Sequence, residues 1–259
     1  MMMRTRVSRI GVVSIAVAAT LAATGMTLSI DTQASPVPAS AVATHAAATP
    51  SAIGDAAPAG NRSARQLADI DNSRVNTWVT RFTTSMRSDF STYLERMSKY
   101  ASTVSAKIAQ RGMPRQLVYL PLIESGYKPT AKSPVKATGL WQFMTATARR
   151  YGLRVTSHVD ERKDPAKSTD AALAYLSDLH DRFGSWYLAA AAYNAGPTTV
   201  QRALKRVTGK TSGTDADYYR IAGALPAETR DYVPKLIAAA RIAENPVRYG
   251  FDVPSPDAG

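Results

Sequence analysis

Trp78, Phe82, Met86, Phe90, Leu94, Met97, Ala101, Val104 and Ile108 follow one another at steps of three or four residues. That spacing keeps every one of them on a single face of an α-helix and scatters them over both faces of a strand. It predicts one long amphipathic helix, ended by Gly112, whose apolar stripe needs a partner surface. The stripe's aromatics and methionines read as core rather than as a cofactor pocket.

The partners are predicted from the rest of the chain. "MPRQLVYLPLIES" reads as a second helix with Pro114 in its first turn. Pro121 inside it is a conflict, because proline removes a backbone donor and kinks a helix. "TATARRYG" is a short helix ended by Gly152, and "PAKSTDAALAYLSDLHDRFG" is one opened by Pro165 and closed by Gly184. "WYLAAAAYNAG", "PTTVQRALKRV" and "PAETRDYVPKLIAAARIAEN" complete the set. No long alternating pattern is present, so the unit is expected to be mostly α.

This unit is expected to run over residues 65–251, with 252–259 as a tail. Residues 35–64 are nearly all Ala, Pro, Ser, Thr and Gly. Such a stretch buries too little apolar surface to offset its ordering entropy and reads as a disordered linker. In residues 1–34, Arg4, Arg6 and Arg9 precede an uncharged run from Ile10 to Ile30, and Thr32 and Ala34 are small residues at the spacing of a cleavage site. The pattern is that of a secretory signal. The run of 21 residues also matches a bilayer span, so retention as an N-terminal anchor stays open. Thr20, Thr24, Gly25 and Thr27 dilute the run, which favours cleavage. Either way the chain is expected to be exported and periplasmic.

The charge is +12, of which residues 1–34 contribute +2, leaving +10 on the remainder. A basic exported protein suggests an anionic envelope polymer as partner rather than nucleic acid. There is no cysteine, which removes disulfides, thiol nucleophiles and thiolate metal sites. The three histidines, His45, His158 and His180, lack the spacing of a zinc protease, and the glycine patterns of nucleotide-binding loops are missing. No metal and no cofactor are expected.

One carboxylate stands out. Glu124 follows Tyr119, Leu120, Leu122 and Ile123 and precedes Ser125 and Gly126. Its bland reading is a polar-edge glutamate paired with Arg115 or Arg150. Its sharper reading is a desolvated acid, protonated near neutral pH and able to protonate a glycosidic oxygen. Ser125 has no histidine in its own segment, so a serine hydrolase is disfavoured. Downstream, "SPVKATGLWQFMTATA" holds Ser133, Gly139, Trp141, Gln142 and Met144, and "AAAYNAGP" holds Tyr193 and Asn194. Trp141 and Gln142 are expected to offer an apolar face and an amide to a groove, and Gly139 to permit close approach.

These segments, together with "ETRDYVPKLIAAARIAENPVRYGF", resemble in order and spacing the catalytic domain of the membrane-bound lytic murein transglycosylase D family. That family sits with soluble lytic transglycosylases and goose-type lysozymes in the lysozyme-like superfamily. The resemblance runs from about Val75 to Phe251, and its E-S-x-Y, G-L-W-Q and A-Y-N-A-G elements are specific in combination. It implies a lysozyme-like single catalytic domain, α+β by superfamily and helix-dominated here. It implies Glu124 as the single catalytic acid and base. It implies substrate contacts from Ser133, which orients the muramic acid end, from Gln142 and Met144 beside the scissile bond, and from the Tyr193–Asn194 pair. Tyr232 is implied as the tyrosine whose hydroxyl touches the catalytic carboxylate.

The implied activity is cleavage of the β-1,4 bond between N-acetylmuramic acid and N-acetylglucosamine of peptidoglycan, with a 1,6-anhydromuramic acid end formed. A lysozyme-type hydrolase on the same scaffold and a non-catalytic peptidoglycan-binding or secretion-assembly protein are the alternatives. No lipid-anchor cysteine and no LysM sugar-binding repeat is seen up to Gly259, so attachment is expected from the groove, the positive charge or a protein partner. Membrane contact is expected only through a retained N-terminal segment. Removing residues 1–64 should leave a stable, soluble and active domain. N-terminal sequencing of the exported protein should find a start after Ala34; a chain beginning near Met1 and sedimenting with membranes would establish the anchor instead.

Overall fold

A computed structural model describes residues 72–253. The signal segment, the linker, residues 65–71 and the last residues of the tail lie outside the described residues. Those described form ten α-helices around one hydrophobic core, with short 3-10 turns and three isolated β-bridges between them. The mostly α class expected from the sequence is what is seen.

The predicted long helix is instead three: α1 (Ser73–Thr83), α2 (Arg87–Ser98) and α3 (Ala101–Gln110). Thr84 leaves helical backbone at φ −123° and ψ −92°, and a second turn at Lys99–Tyr100 separates α2 from α3. Both breaks are one-turn interruptions, so the stripe keeps facing the interior. Val75, Phe82, Phe90, Leu94, Met97, Val104 and Ile108 are all buried. Phe82 and Phe90, on either side of the first break, stack with centroids 4.3 Å apart. The periodicity reported which face is apolar; it could not report where the axis bends.

The Pro121 conflict resolves in the same way. Arg115–Tyr119 is a 3-10 turn, and α4 (Leu120–Ser125) restarts after it, so Pro121 sits in a first turn where its missing donor costs nothing. After α4 a loop leads to α5 (Thr145–Arg150). Then α6 (Pro165–Phe183) is capped by Asp164, whose side chain accepts from the amides of Ala166 and Lys167 at 2.9 Å each. α7 (Trp186–Ala195) is an alanine-rich helix at the centre, and Ala189, Ala190, Ala191 and Ala192 are 0–1% exposed. Such small side chains let α6, α8, α9 and α10 approach it closely.

α8 (Pro197–Thr208) leads into α9 (Asp215–Ile221), which the sequence reading missed. Its signal was a Thr214-x-x-Asp217 capping box, and both reciprocal bonds are present. α10 (Ala227–Glu244) packs along α1 and across α7 and α4. It carries Pro234 in its interior. The carbonyl of Arg230, which Pro234 has no N–H to satisfy, accepts from the buried Tyr218 hydroxyl at 2.8 Å.

Gly139 is held at φ +90°, and a Cβ there would stand 1.8 Å from the carbonyl oxygen of Arg162. The sequence reading gave this glycine a close approach; it is to backbone. Gly152, at φ +84°, has open space around it. Gly139→Ala should therefore lower stability by roughly 2 kcal/mol or more, from overpacking added to backbone strain. Gly152→Ala should cost only about 1 kcal/mol, from conformation alone. Urea unfolding of both variants checks the difference.

Candidate active site

Glu124 lies near the C-terminal end of α4, and the chain turns sharply just beyond it. Gly126 and Tyr127 both take left-handed backbone, at φ 57° and 55°. Their amides bond to the carbonyls of Leu122 and Pro121. A Cβ on Gly126 would meet the Tyr93 ring at 2.3 Å, so only glycine lets α2 pack this closely. Tyr127 is drawn inward and its hydroxyl donates to the carbonyl of Val118 at 2.6 Å. The Ser125 hydroxyl donates to the carbonyl of Leu140 at 2.8 Å and ties α4 to the following loop. It has no nucleophile's surroundings.

The Glu124 side chain is 9% exposed. The Tyr232 hydroxyl, delivered by α10 from 108 residues away, donates to its Oε1 at 2.5 Å. Neither arginine considered from the sequence is its partner; Arg115 lies 3.6 Å from Glu244. Burial pushes the Glu124 pKa up from 4.5 to about 7. The Tyr232 hydrogen bond and the Lys235 charge pull it down, and the Glu228 charge adds to the rise. Burial, and then the charge of Glu124, push the Tyr232 phenol well above its ordinary value, so it remains a donor.

Two clefts meet at this carboxylate. One, of about 240 Å³, is lined by Glu124, Gln142, Met144, Tyr193, Asn194 and Glu228, among others. The other, of about 310 Å³, is lined by Glu124, Ser125, Ser133, Gln142 and basic side chains. Five of the six residues expected to contact substrate thus line one cleft or the other, and Glu124 and Gln142 line both. The sixth, Tyr232, lines neither and reaches the site through Glu124. Trp141 corrects the groove expectation. It is fully buried, with its indole N–H donating to Thr169 Oγ1 at 3.0 Å, so it is a core residue.

The loop after α4 is built to present Gln142. The Ser133 hydroxyl accepts from the amide of Ala137 at 3.0 Å, closing a turn. Gln142 itself is left-handed at φ 47°, a strained state for a non-glycine residue. Its side-chain amide donates to the carbonyl of Gly139 at 2.8 Å. Arg162, 5% exposed, clamps the loop from outside. Its guanidinium grips Asp160 with two bonds of 2.8 Å and donates to the carbonyls of Lys136 and Phe143 at 3.1 and 3.0 Å.

Tyr193 and Asn194 are tied as well as exposed to the cleft. The Tyr193 hydroxyl donates to the carbonyl of Trp141 at 2.7 Å. Asn194 donates to Glu228 at 3.2 Å and accepts from Thr229 Oγ1 at 2.7 Å. Tyr193→Phe therefore removes a fold-holding bond, worth about 1 kcal/mol, besides any contact to a ligand. Sequence reasoning missed Glu228 and Tyr175, both in the cleft wall. Glu228 stands one helical turn before Tyr232 on α10, a spacing that puts both on one face. Tyr175 gave no signal beyond its place on α6. Among the described residues no cluster of metal-ligating side chains occurs.

Residues 103–214 match the family described as Transglycosylase SLT domain. Over 163 residues the chain is 40% identical to the membrane-bound lytic murein transglycosylase D of Escherichia coli K12, an alignment covering 62% of this chain and 35% of that protein. It is 32% identical over 121 residues to the soluble lytic murein transglycosylase of the same strain, covering 44% of this chain and 18% of that one. The solved 70 kDa soluble lytic transglycosylase from Escherichia coli aligns with a TM-score of 0.47 and 25% identity, over 61% of this chain and 25% of that chain. The chain thus spans about a third of the length of the first of these relatives.

With a folded pKa of about 7 against an ordinary 4.5, protonated Glu124 contributes stability that is complete below about pH 4.5. It is lost as pH rises through 7. Glu124→Gln has no charge to bury. The variant should match the parent protein at pH 5 and exceed it at pH 8 by about 2–3 kcal/mol, measured by urea unfolding at the two pH values.

Proposed function

We propose that this chain, whose residues 103–214 match the family described as Transglycosylase SLT domain, is a peptidoglycan lytic transglycosylase. The observation that carries the reading is Glu124: an enclosed carboxyl with a pKa near 7, where two clefts meet. Protonated Glu124 gives its proton to the glycosidic oxygen between N-acetylmuramic acid and N-acetylglucosamine, and the C1–O4 bond breaks. The muramyl acetamido oxygen shields the positive C1. Ionised Glu124 then takes the proton of the same sugar's 6-hydroxyl, and O6 closes on C1 as a 1,6-anhydro ring. The proton returns to its starting place and no water is consumed. The nucleophile is already tethered to the reacting carbon, which favours its attack entropically.

In this reading Ser133, Gln142, Met144, Tyr193 and Asn194 contact the glycan strand, and Tyr232 orients the carboxyl. The aromatic and amide side chains of the clefts suit sugar faces and hydroxyls. The partner is peptidoglycan, not nucleic acid. The basic start, the uncharged run and the small-residue exit of residues 1–34 support export to the periplasm, and the membrane-bound relative's name agrees with an envelope location.

Glu228 favours a second reading. It is another carboxylate in the wall of the first cleft with Glu124, and paired carboxylates serve glycosidases that activate water. Product mass separates the two, because an anhydro end is one water lighter than a reducing end. Digestion of purified murein should yield anhydro ends and show an alkaline limb near pH 7, where Glu124 loses its proton. Glu124→Gln should slow cleavage by roughly two to four orders of magnitude with folding retained. Near-normal digestion by that variant would sink the mechanism.

A further inference from the structure

Lys235 is the one basic side chain that α10 directs at the catalytic carboxylate. It follows Glu228 and Tyr232 at i+7 and i+3, so the three share a helix face. Lys235 is half-buried, and its Nζ donates to the carbonyl of Ile123, the residue before Glu124, at 3.2 Å. The same ammonium stands 5.3 Å from the Trp78 ring centroid of α1. Among the described residues no carboxylate lies within ion-pair distance of it. Lys235 lines neither cleft, so it approaches Glu124 from behind rather than from the substrate side.

We propose that Lys235 is a positioning residue of this site: docked on the Ile123 carbonyl, it fixes the end of α4 and supplies the positive charge that stabilises Glu124 once its proton has been given away. Two opposed demands meet at Glu124. Burial keeps it protonated, which suits donation. The same burial would make it too weak an acid to release that proton if nothing offset the new charge. A cation held behind the carboxylate, out of reach of a direct ion pair, offsets part of the desolvation without quenching the acid.

The energetics agree in direction. Burial pulls the Lys235 pKa down, and Glu124 and Glu228 each push it up. The pull of Lys235 on Glu124 is reciprocal. The other groups around Glu124 are distributed over several elements. Tyr232 and Glu228 come from α10 and Tyr193 from α7. Asp89, Tyr93 and Arg96 of α2 and Lys128 and Lys132 of the loop line the second cleft. Among them Tyr232 and Glu228, with Lys235, act on the Glu124 equilibrium, and Lys235 is the only cation of the three.

The activity part of this inference rests on the proposed function; the titration part does not. The test follows Glu124 directly, by NMR of 13C-carboxyl-labelled glutamate in the protein with and without Lys235→Met and Lys235→Gln. Gln keeps a donor for the Ile123 carbonyl and removes the charge. Both variants should move the Glu124 titration to higher pH, making it about tenfold the weaker acid. Cleavage of murein should slow, and its alkaline limb should shift upward with the titration. Lys235→Arg should keep both near those of the parent protein. A folded Lys235→Gln with an unmoved Glu124 titration overturns the proposal. So does failure of both neutral variants to fold, which would make Lys235 a fold-holding residue only. If the titration moves but no form of the protein cleaves murein, the proposed function fails and the role of Lys235 stands.

Discussion

The structure turns on one hydrogen bond. The Tyr232 hydroxyl meets Glu124 Oε1 at 2.5 Å, across 108 residues of chain. A carboxyl taken out of water needs a partner or stays neutral, and among the described residues this one has a single side-chain donor. The bond ties α10 to α4, and the Lys235 ammonium bonded to the Ile123 carbonyl ties the same two helices a second time. Tyr218 satisfies the Arg230 carbonyl that Pro234 leaves open, two residues before Tyr232. Gly126 ends α4 where a side chain would strike Tyr93. Gly126 lies outside both cleft linings, although Tyr93 lines the second, and its bareness seats α4 on α2 while the Tyr218 bond braces α10.

The loop between α4 and α5 depends on the same frame. Ser125 anchors it at Leu140, Tyr193 anchors it at Trp141, and Arg162 grips it at Lys136 and Phe143. Between these ties Gln142 holds a left-handed backbone that it would not adopt freely. Strain of that kind persists only where the surroundings over-determine it. The consequence is an amide fixed beside the carboxylate and shared by both clefts. Binding groups on such a loop lose little entropy when a ligand arrives.

Much of this was legible in the sequence, and the limits are physical. Helix starts and stops at Pro165, Gly184 and Pro197 were read correctly because caps and proline act locally. Glu124 was legible because a charge among apolar neighbours is a local conflict. The breaks at Thr84 and Lys99 were not, because hydrophobic spacing records a face and is blind to a one-turn bend. Pro121 was read as a conflict because a 3-10 turn passing into an α-helix has no signature of its own. Trp141 looked like a groove residue and is core, because an indole next to a glutamine gives no hint of which one turns inward. Arg162 was invisible for the opposite reason. Its partners are mostly main-chain carbonyls far along the chain, and carbonyls carry no sequence.

The family match ends at residue 214, before α10 begins, yet α10 supplies Tyr232, Glu228 and Lys235. The matched segment by itself holds the acid, the amide and the aromatic walls but not the donor and charges that adjust the acid beside its burial. These two parts answer to different constraints. Cleft residues must match a ligand, and their types are readable as motifs. Groups behind the carboxylate need only place a donor or a charge at the right distance, which a helix crossing achieves through packing. The hydrogen bond and charges that act on the acid beside its burial therefore come from α10 rather than from the motif that contains Glu124. A substitution that shifts the contact between α10 and α4 would alter the pH at which Glu124 titrates without changing any residue that lines the clefts.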